Sequence, residues 1–102
     1  MNQQSKQLET ELMNSDRTCL IQFSSKDCAP CQIIAPTLEE VEEEFKNQIK
    51  VFRVDVDESP ALADDYGITQ TPTTFIVKSG RPYIAFSGIR PKSTIIEYLD
   101  LD

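Results

Sequence analysis

The sequence predicts an α/β fold: one mixed central sheet of about four main strands, with helices on both faces. Three observations point there. Apolar spacing switches between the helical and the strand period along the chain. A strongly periodic helical segment separates the first two strand-like runs, which makes them parallel through a right-handed crossover. The last two strand-like runs are joined by a short glycine-containing turn, which makes them an antiparallel hairpin.

The elements follow in order. Leu8, Leu12 and Met13 give a helical spacing that ends at "NSD". "TCLIQF", from Thr18 to Phe23, is short and apolar and reads as a buried strand. Cys19 shares its alternating face with Ile21 and Phe23, so it reads as a small buried hydrophobe. "SSKDC" is a strand-to-helix turn. Beyond it, Ile34, Leu38, Val41 and Phe45 fall at i, i+4, i+7 and i+11 and line one helical face. Glu39, Glu40, Glu42, Glu43 and Glu44 fill the rest. Pro36 interrupts this helix and should kink it. "IKVFRVDVD", from Ile49 to Asp57, is a second strand, and "ESPALADDYG" a short helix closed by Gly67. "TTFIVK" and "YIAF" are strands joined by the turn "SGRP". A last helix starts at Pro91 and turns Ile95, Ile96 and Leu99 to one side. The order is α-β-α-β-α-β-β-α, without repeat, low-complexity tract or linker.

A chain of 102 residues fits one domain, residues 1–102. Its 39% hydrophobic content sustains a core without a metal or several disulfides. The formal charge is −7, from 10 Lys and Arg against 17 Asp and Glu, and the basic residues form no block. That argues against a nucleic-acid partner and against an anionic membrane surface. No segment approaches the roughly 18–20 apolar residues of a membrane span. The N-terminal "MNQQSKQLETELMNSD" is polar and lacks the apolar centre of a signal peptide. A cytoplasmic monomer is expected. The 3 cysteines cannot all pair within one chain. In a reducing compartment that count suggests a reactive pair and a spare thiol rather than a disulfide framework.

The pair would be Cys28 and Cys31, within "FSSKDCAPCQIIAP" at the start of the long helix. Cysteines at i and i+3 of a first helical turn can come close enough for a disulfide. The sulfur of Cys28 faces free backbone N–H groups and the positive end of the helix dipole, which favour a thiolate. Its pKa should therefore fall below the free value of about 8.5. Pro30 stiffens the turn and removes a donor that the helix start does not need. A structural zinc site would want four ligands, usually Cys and His. The chain has no His and only Cys19 besides the pair, though carboxylates could complete a site. A protease-like nucleophile would want a His base.

These residues resemble the thioredoxin family. "CAPC" at 28–31 is similar to the family's CGPC, with Ala29 in place of its first middle residue. Pro36 matches the family's helix-kinking proline. "YGITQTPTTF", from Tyr66 to Phe75, resembles the segment that holds the family's cis-proline, here Pro72. "KSG" at 78–80 and Gly88 match the hairpin turn and the glycine of the following loop. The resemblance runs from about Leu8 to the end. It implies a thioredoxin fold and thiol–disulfide exchange, with Cys28 as nucleophile and Cys31 as resolving cysteine. It also implies that Thr71 and Pro72 present backbone groups to a polypeptide substrate, and that Gly88 and Ile89 form another wall of the contact surface. No bound cofactor is implied; protein disulfides are the substrates, and a reductase of the thioredoxin reductase type restores the dithiol.

The departures are as informative. Asp27 stands where the family typically has Trp, and the chain has no Trp. A negative charge there opposes the helix-dipole effect on Cys28 and discourages acidic targets. Asp27 thus reads as a tuning or partner-selecting residue, or as a tolerated surface change. Gln22 stands where the family has a buried acid that serves the proton of the second cysteine; an amide cannot accept that proton. Arg53 stands where the family has a nearby lysine and cannot act as a proton donor at neutral pH. Gln22 and Arg53 could tune the pair, or could form a hydrogen-bonded core feature without catalytic duty. The strand that often opens the family should be absent or very short. Asp27 and Gln22 favour a second reading, a thioredoxin-like binding module with little turnover; the intact cysteine pair favours the oxidoreductase. A metal-linked dimer through the pair is a third reading.

Overall fold

The computed structural model describes residues 2–101, so the end residues of the expected 1–102 domain lie outside the described residues. The chain runs α1 (Gln3–Asn14), β1 (Thr18–Ser24), α2 (Ala29–Glu44), β2 (Ile49–Asp55), α3 (Pro60–Asp65), β3 (Thr73–Lys78), β4 (Arg81–Ser87) and α4 (Lys92–Leu99). One four-stranded sheet has the order β2-β1-β3-β4. β1 and β2 are parallel; β1 with β3, and β3 with β4, are antiparallel. This is the expected mixed sheet. Among the described residues no strand precedes α1.

Strand alternation sorts the core onto two faces. Cys19, Ile21 and Phe23 of β1 pack with Leu8 and Leu12 of α1 and Leu62 of α3. Leu20 points the other way, into Ile34, Leu38 and Val41 of α2 and Ile95 and Leu99 of α4. Cys19 is a free thiol, 1% exposed, as its place on the inward face predicts.

Several boundaries and faces differ from the sequence reading. Met13 is 65% exposed. It sits one residue, about 100°, round the helix from Leu12, outside the inward stripe of Ser5, Leu8 and Leu12. β2 stops at Asp55 rather than Asp57 because the Asp55 carboxylate accepts the N–H groups of Asp57 (2.8 Å) and Glu58 (3.3 Å) and turns the chain. β4 extends beyond "YIAF" on both sides, because the hairpin turns on Ser79 and Gly80 alone. Both are left-handed (φ 53° and 77°), the two-residue turn that suits strand twist. Gly80 is needed there twice over: a Cβ would also lie 2.9 Å from Met13 Cγ. Pro82 is tolerated because β4 is an edge strand. α2 runs continuously through Pro36. α4 begins at Lys92, with Pro91 as its N-cap.

Candidate active site

The C-terminal end of β1, the N-terminus of α2 and the start of β3 meet around Cys28. Asp27, left-handed at φ 52°, turns the chain from strand to helix. An Asp side chain tolerates that conformation better than most, which gives this residue a backbone reason to stand there. Its side chain is exposed. Cys28 is the N-cap of α2, and its sulfur accepts the N–H of Cys31 at 3.2 Å. A cysteine thus fills the place usually held by Ser, Thr, Asp or Asn. Ala29 and Pro30 are exposed in the first turn, where the missing proline N–H costs nothing.

Cys28 and Cys31 form a disulfide, with Cα atoms 5.3 Å apart. The two are almost equally covered, 8% and 6% exposed. Burial therefore hardly distinguishes them. What separates them is hydrogen bonding: the Cys28 sulfur also accepts the Thr71 hydroxyl at 3.7 Å. At a helix N-terminus the same sulfur, as a thiolate, would be held by the N–H groups and the dipole.

The Thr71–Pro72 peptide bond is cis. Thr71 is half-buried and Pro72 buried. The Pro72 carbonyl accepts the N–H of Gly88 at 2.9 Å, so Pro72 and Gly88 are joined to each other. Of the backbone groups expected to face a substrate, the Pro72 carbonyl is thereby partly occupied. Gly88 (φ 80°) brings Ile89 to the surface, 45% exposed. Ile33, one turn into α2, adds a second exposed apolar side chain at 58%.

Gln22 is buried at 5% exposure, next to Arg53 on one neighbouring strand and Thr74 on the other. It shares a cleft of about 310 Å³ with Cys31, Glu39 and Arg53. The expected hydrogen-bonded Gln22–Arg53 core pair does not form. Arg53 is exposed and instead donates to Glu42 of α2 at 2.6 Å, because its long side chain carries the charge out to water and to a carboxylate. A larger cleft, about 790 Å³, lies along α1 beside Gln3, Lys6, Gln7, Thr10 and Glu11; it holds no cysteine and is not the site of this chemistry.

Sequence reasoning missed Ser25. Its hydroxyl lies 2.6 Å from that of Thr71, a partner 46 positions away. No local spacing links the two. Among the described residues no group of three or more His, Cys, Asp or Glu could hold a metal ion. No helix there is long and apolar enough to cross a membrane.

The chain can now be set beside known proteins. The family model described as Thioredoxin matches residues 1–101. A thioredoxin of Rickettsia bellii is 30% identical over 95 residues, 93% of this chain and 90% of that protein. Thioredoxin 1 of Synechococcus elongatus is 36% identical over 90 residues, 88% of this chain and 84% of that protein. The chloroplastic M-type thioredoxin of Chlamydomonas reinhardtii is 35% identical over 89 residues, 87% of this chain and 64% of that protein. A disulfide at a helix N-terminus is what such a protein uses for its chemistry, so the chain is a thiol–disulfide oxidoreductase with protein disulfides as its substrate class. With a match that spans nearly every residue, it belongs to the thioredoxin family.

Proposed function

We propose that Cys28 is the nucleophile of this oxidoreductase and Cys31 its resolving cysteine. The observation that carries the assignment is the Cys28 sulfur at the N-cap of α2, accepting the Cys31 N–H. In the reduced protein the Cys28 thiolate attacks one sulfur of a target disulfide. That S–S bond breaks, a mixed disulfide forms, and one target thiolate leaves and takes a proton from solvent. Cys31 then gives up its proton and attacks the Cys28 sulfur. The second target thiolate departs and is protonated. The target has gained two electrons and two protons, and the protein holds the Cys28–Cys31 disulfide.

Gln22 cannot take the Cys31 proton as a carboxylate would, so in this reading water in the shared cleft does. Thr71, Pro72, Gly88 and Ile89 make the surface against which the target polypeptide lies, with Ala29, Pro30 and the Asp27 charge at its rim. Gln22 and Arg53 tune the site rather than react. A thioredoxin-reductase-type donor returns the dithiol, which makes the protein an electron carrier in cell redox homeostasis. We place it in the cytoplasm, where a dithiol is kept reduced, as a monomer working as one domain over residues 1–102, without a bound cofactor. The buried amide of Gln22 and the charge of Asp27 favour the second reading, a partner-binding module with little turnover.

Trapping separates the two. Cys31→Ser should accumulate mixed disulfides between Cys28 and target proteins, released by dithiothreitol and absent from Cys28→Ser. Partners retained equally by Cys28→Ser, through dithiothreitol, would favour the binding module.

A further inference from the structure

We propose that Ser25 and Thr71 form a chain of two hydroxyls that stabilises the Cys28 thiolate, with Thr71 as the group that touches the reacting sulfur and Ser25 as the residue that positions and polarises it. The inference rests on Cys28 being the nucleophile. Thr71 Oγ1 donates to Cys28 Sγ at 3.7 Å, and Ser25 Oγ lies 2.6 Å from Thr71 Oγ1. With the Thr71 proton directed at sulfur, the short bond has one direction left: Ser25 donates and Thr71 accepts. Each hydroxyl then polarises the next, and a part-buried site strengthens both bonds.

The sulfur's charge decides what the chain is for. A disulfide sulfur is a weak acceptor, whereas a thiolate takes charge-assisted bonds that are roughly twice as strong as neutral ones. The two hydroxyls and the Cys31 N–H therefore favour the reduced, ionised state over the disulfide. The surrounding charges are mixed. Asp27 and Lys26 lie on the Cys28 loop, and Asp57 of the β2–α3 turn holds the Lys26 N–H at 2.9 Å. Arg90 follows Ile89, and Glu39 and Arg53 line the cleft beside Cys31. The hydroxyls offset the Asp27 charge and do not titrate themselves, so the pH dependence of their effect is that of Cys28 ionisation alone.

The test is alkylation of the reduced full-length chain by iodoacetamide across pH, with peptide mapping to identify the modified cysteine. In Thr71→Val the ionisation midpoint of Cys28 should move to higher pH. The rate at about pH 6.5 should fall about five-fold, and the curves should converge at about pH 10, where the thiol is ionised in both. Ser25→Ala should move the midpoint the same way by less. The double variant should match Thr71→Val alone, since Ser25 acts through Thr71. Thr71→Ser keeps the hydroxyl and should keep the wild-type midpoint. Equilibration with glutathione should shift toward the disulfide in Thr71→Val. Cys28 modified first, with an unmoved midpoint in Thr71→Val, would overturn the inference alone, as would additive shifts in the double variant. Cys31 modified first in the wild type would overturn the nucleophile assignment and this inference with it.

Discussion

Thr74 is the polar side chain that the core serves least well. It is 0% exposed, and among the described residues its hydroxyl has no hydrogen-bond partner. It stands beside Gln22 across β1 and β3, on the face covered by α2 and α4. A buried unpaired hydroxyl costs about 1–3 kcal/mol, and a methyl of similar shape does not. Thr74→Val should therefore stabilise the protein by about 1 kcal/mol. In urea the midpoint should rise with an unchanged slope; a fall would mean that the hydroxyl is satisfied in solution. Residue-scale features of this kind are the least legible in the sequence. Cys28 and Cys31 could be read from their local spacing, and Pro72 from the family resemblance of its segment. Nothing local shows that Arg53 turns away from Gln22 toward Glu42, that Asp27 holds a left-handed backbone, or that Ser25 meets Thr71. The Arg53 and Ser25 contacts depend on which elements the topology brings together.

Elements are legible in the sequence where one face is apolar and illegible where a polar group ends or ties them. The stripe of Ile34, Leu38 and Val41 marks α2 because burial on one side demands it. β2 is ended early by the Asp55 carboxylate, and the hairpin turn is set by two left-handed residues, neither visible as apolar periodicity. The tie between α1 and α3 is of the same kind. Asp65, the last residue of α3, accepts the Ser5 hydroxyl at 2.6 Å and the Asn2 N–H at 3.3 Å, while Asn2 caps α1. The Ser5 bond, and then the Asn2 bond, hold the Asp65 carboxyl below its ordinary value of 3.8. A lowered carboxyl pKa makes the tie whole above 3.8 and loses it as pH falls through the lower folded value. Asp65→Ala should leave the Ser5 hydroxyl unpaired and speed amide exchange in α1 several-fold at neutral pH, with β1 amides unchanged. That difference should shrink as acid protonates Asp65 in the wild type. Equal α1 exchange in the two proteins at neutral pH would mean that apolar packing of Leu8 and Leu12 alone seats the helix.

On the scale of the whole molecule, two apolar layers clamp a four-stranded sheet, and the reactive pair sits where β1 hands over to α2. The rigid part is the sheet and its two cores; the chemistry lies at the rim, on a helix start held by β1 and faced by the Pro72 loop. Fold class, element order and the cysteine pair were legible in the sequence because each follows from hydrophobic period or local spacing. The surroundings of the pair were not, because they come from residues far apart in the chain. The net charge of −7 is spread over outward faces, chiefly the glutamates of α2, and the site carries only part of it. Everything at this rim converges on reduction of protein disulfides through Cys28. The most direct test is dithiothreitol-driven reduction of a protein disulfide, followed by turbidity or thiol release, with the wild type and Cys28→Ser side by side. Turnover should run well above the uncatalysed rate in the wild type and disappear in Cys28→Ser. Turnover that survives in Cys28→Ser, or none in the wild type, would contradict that function.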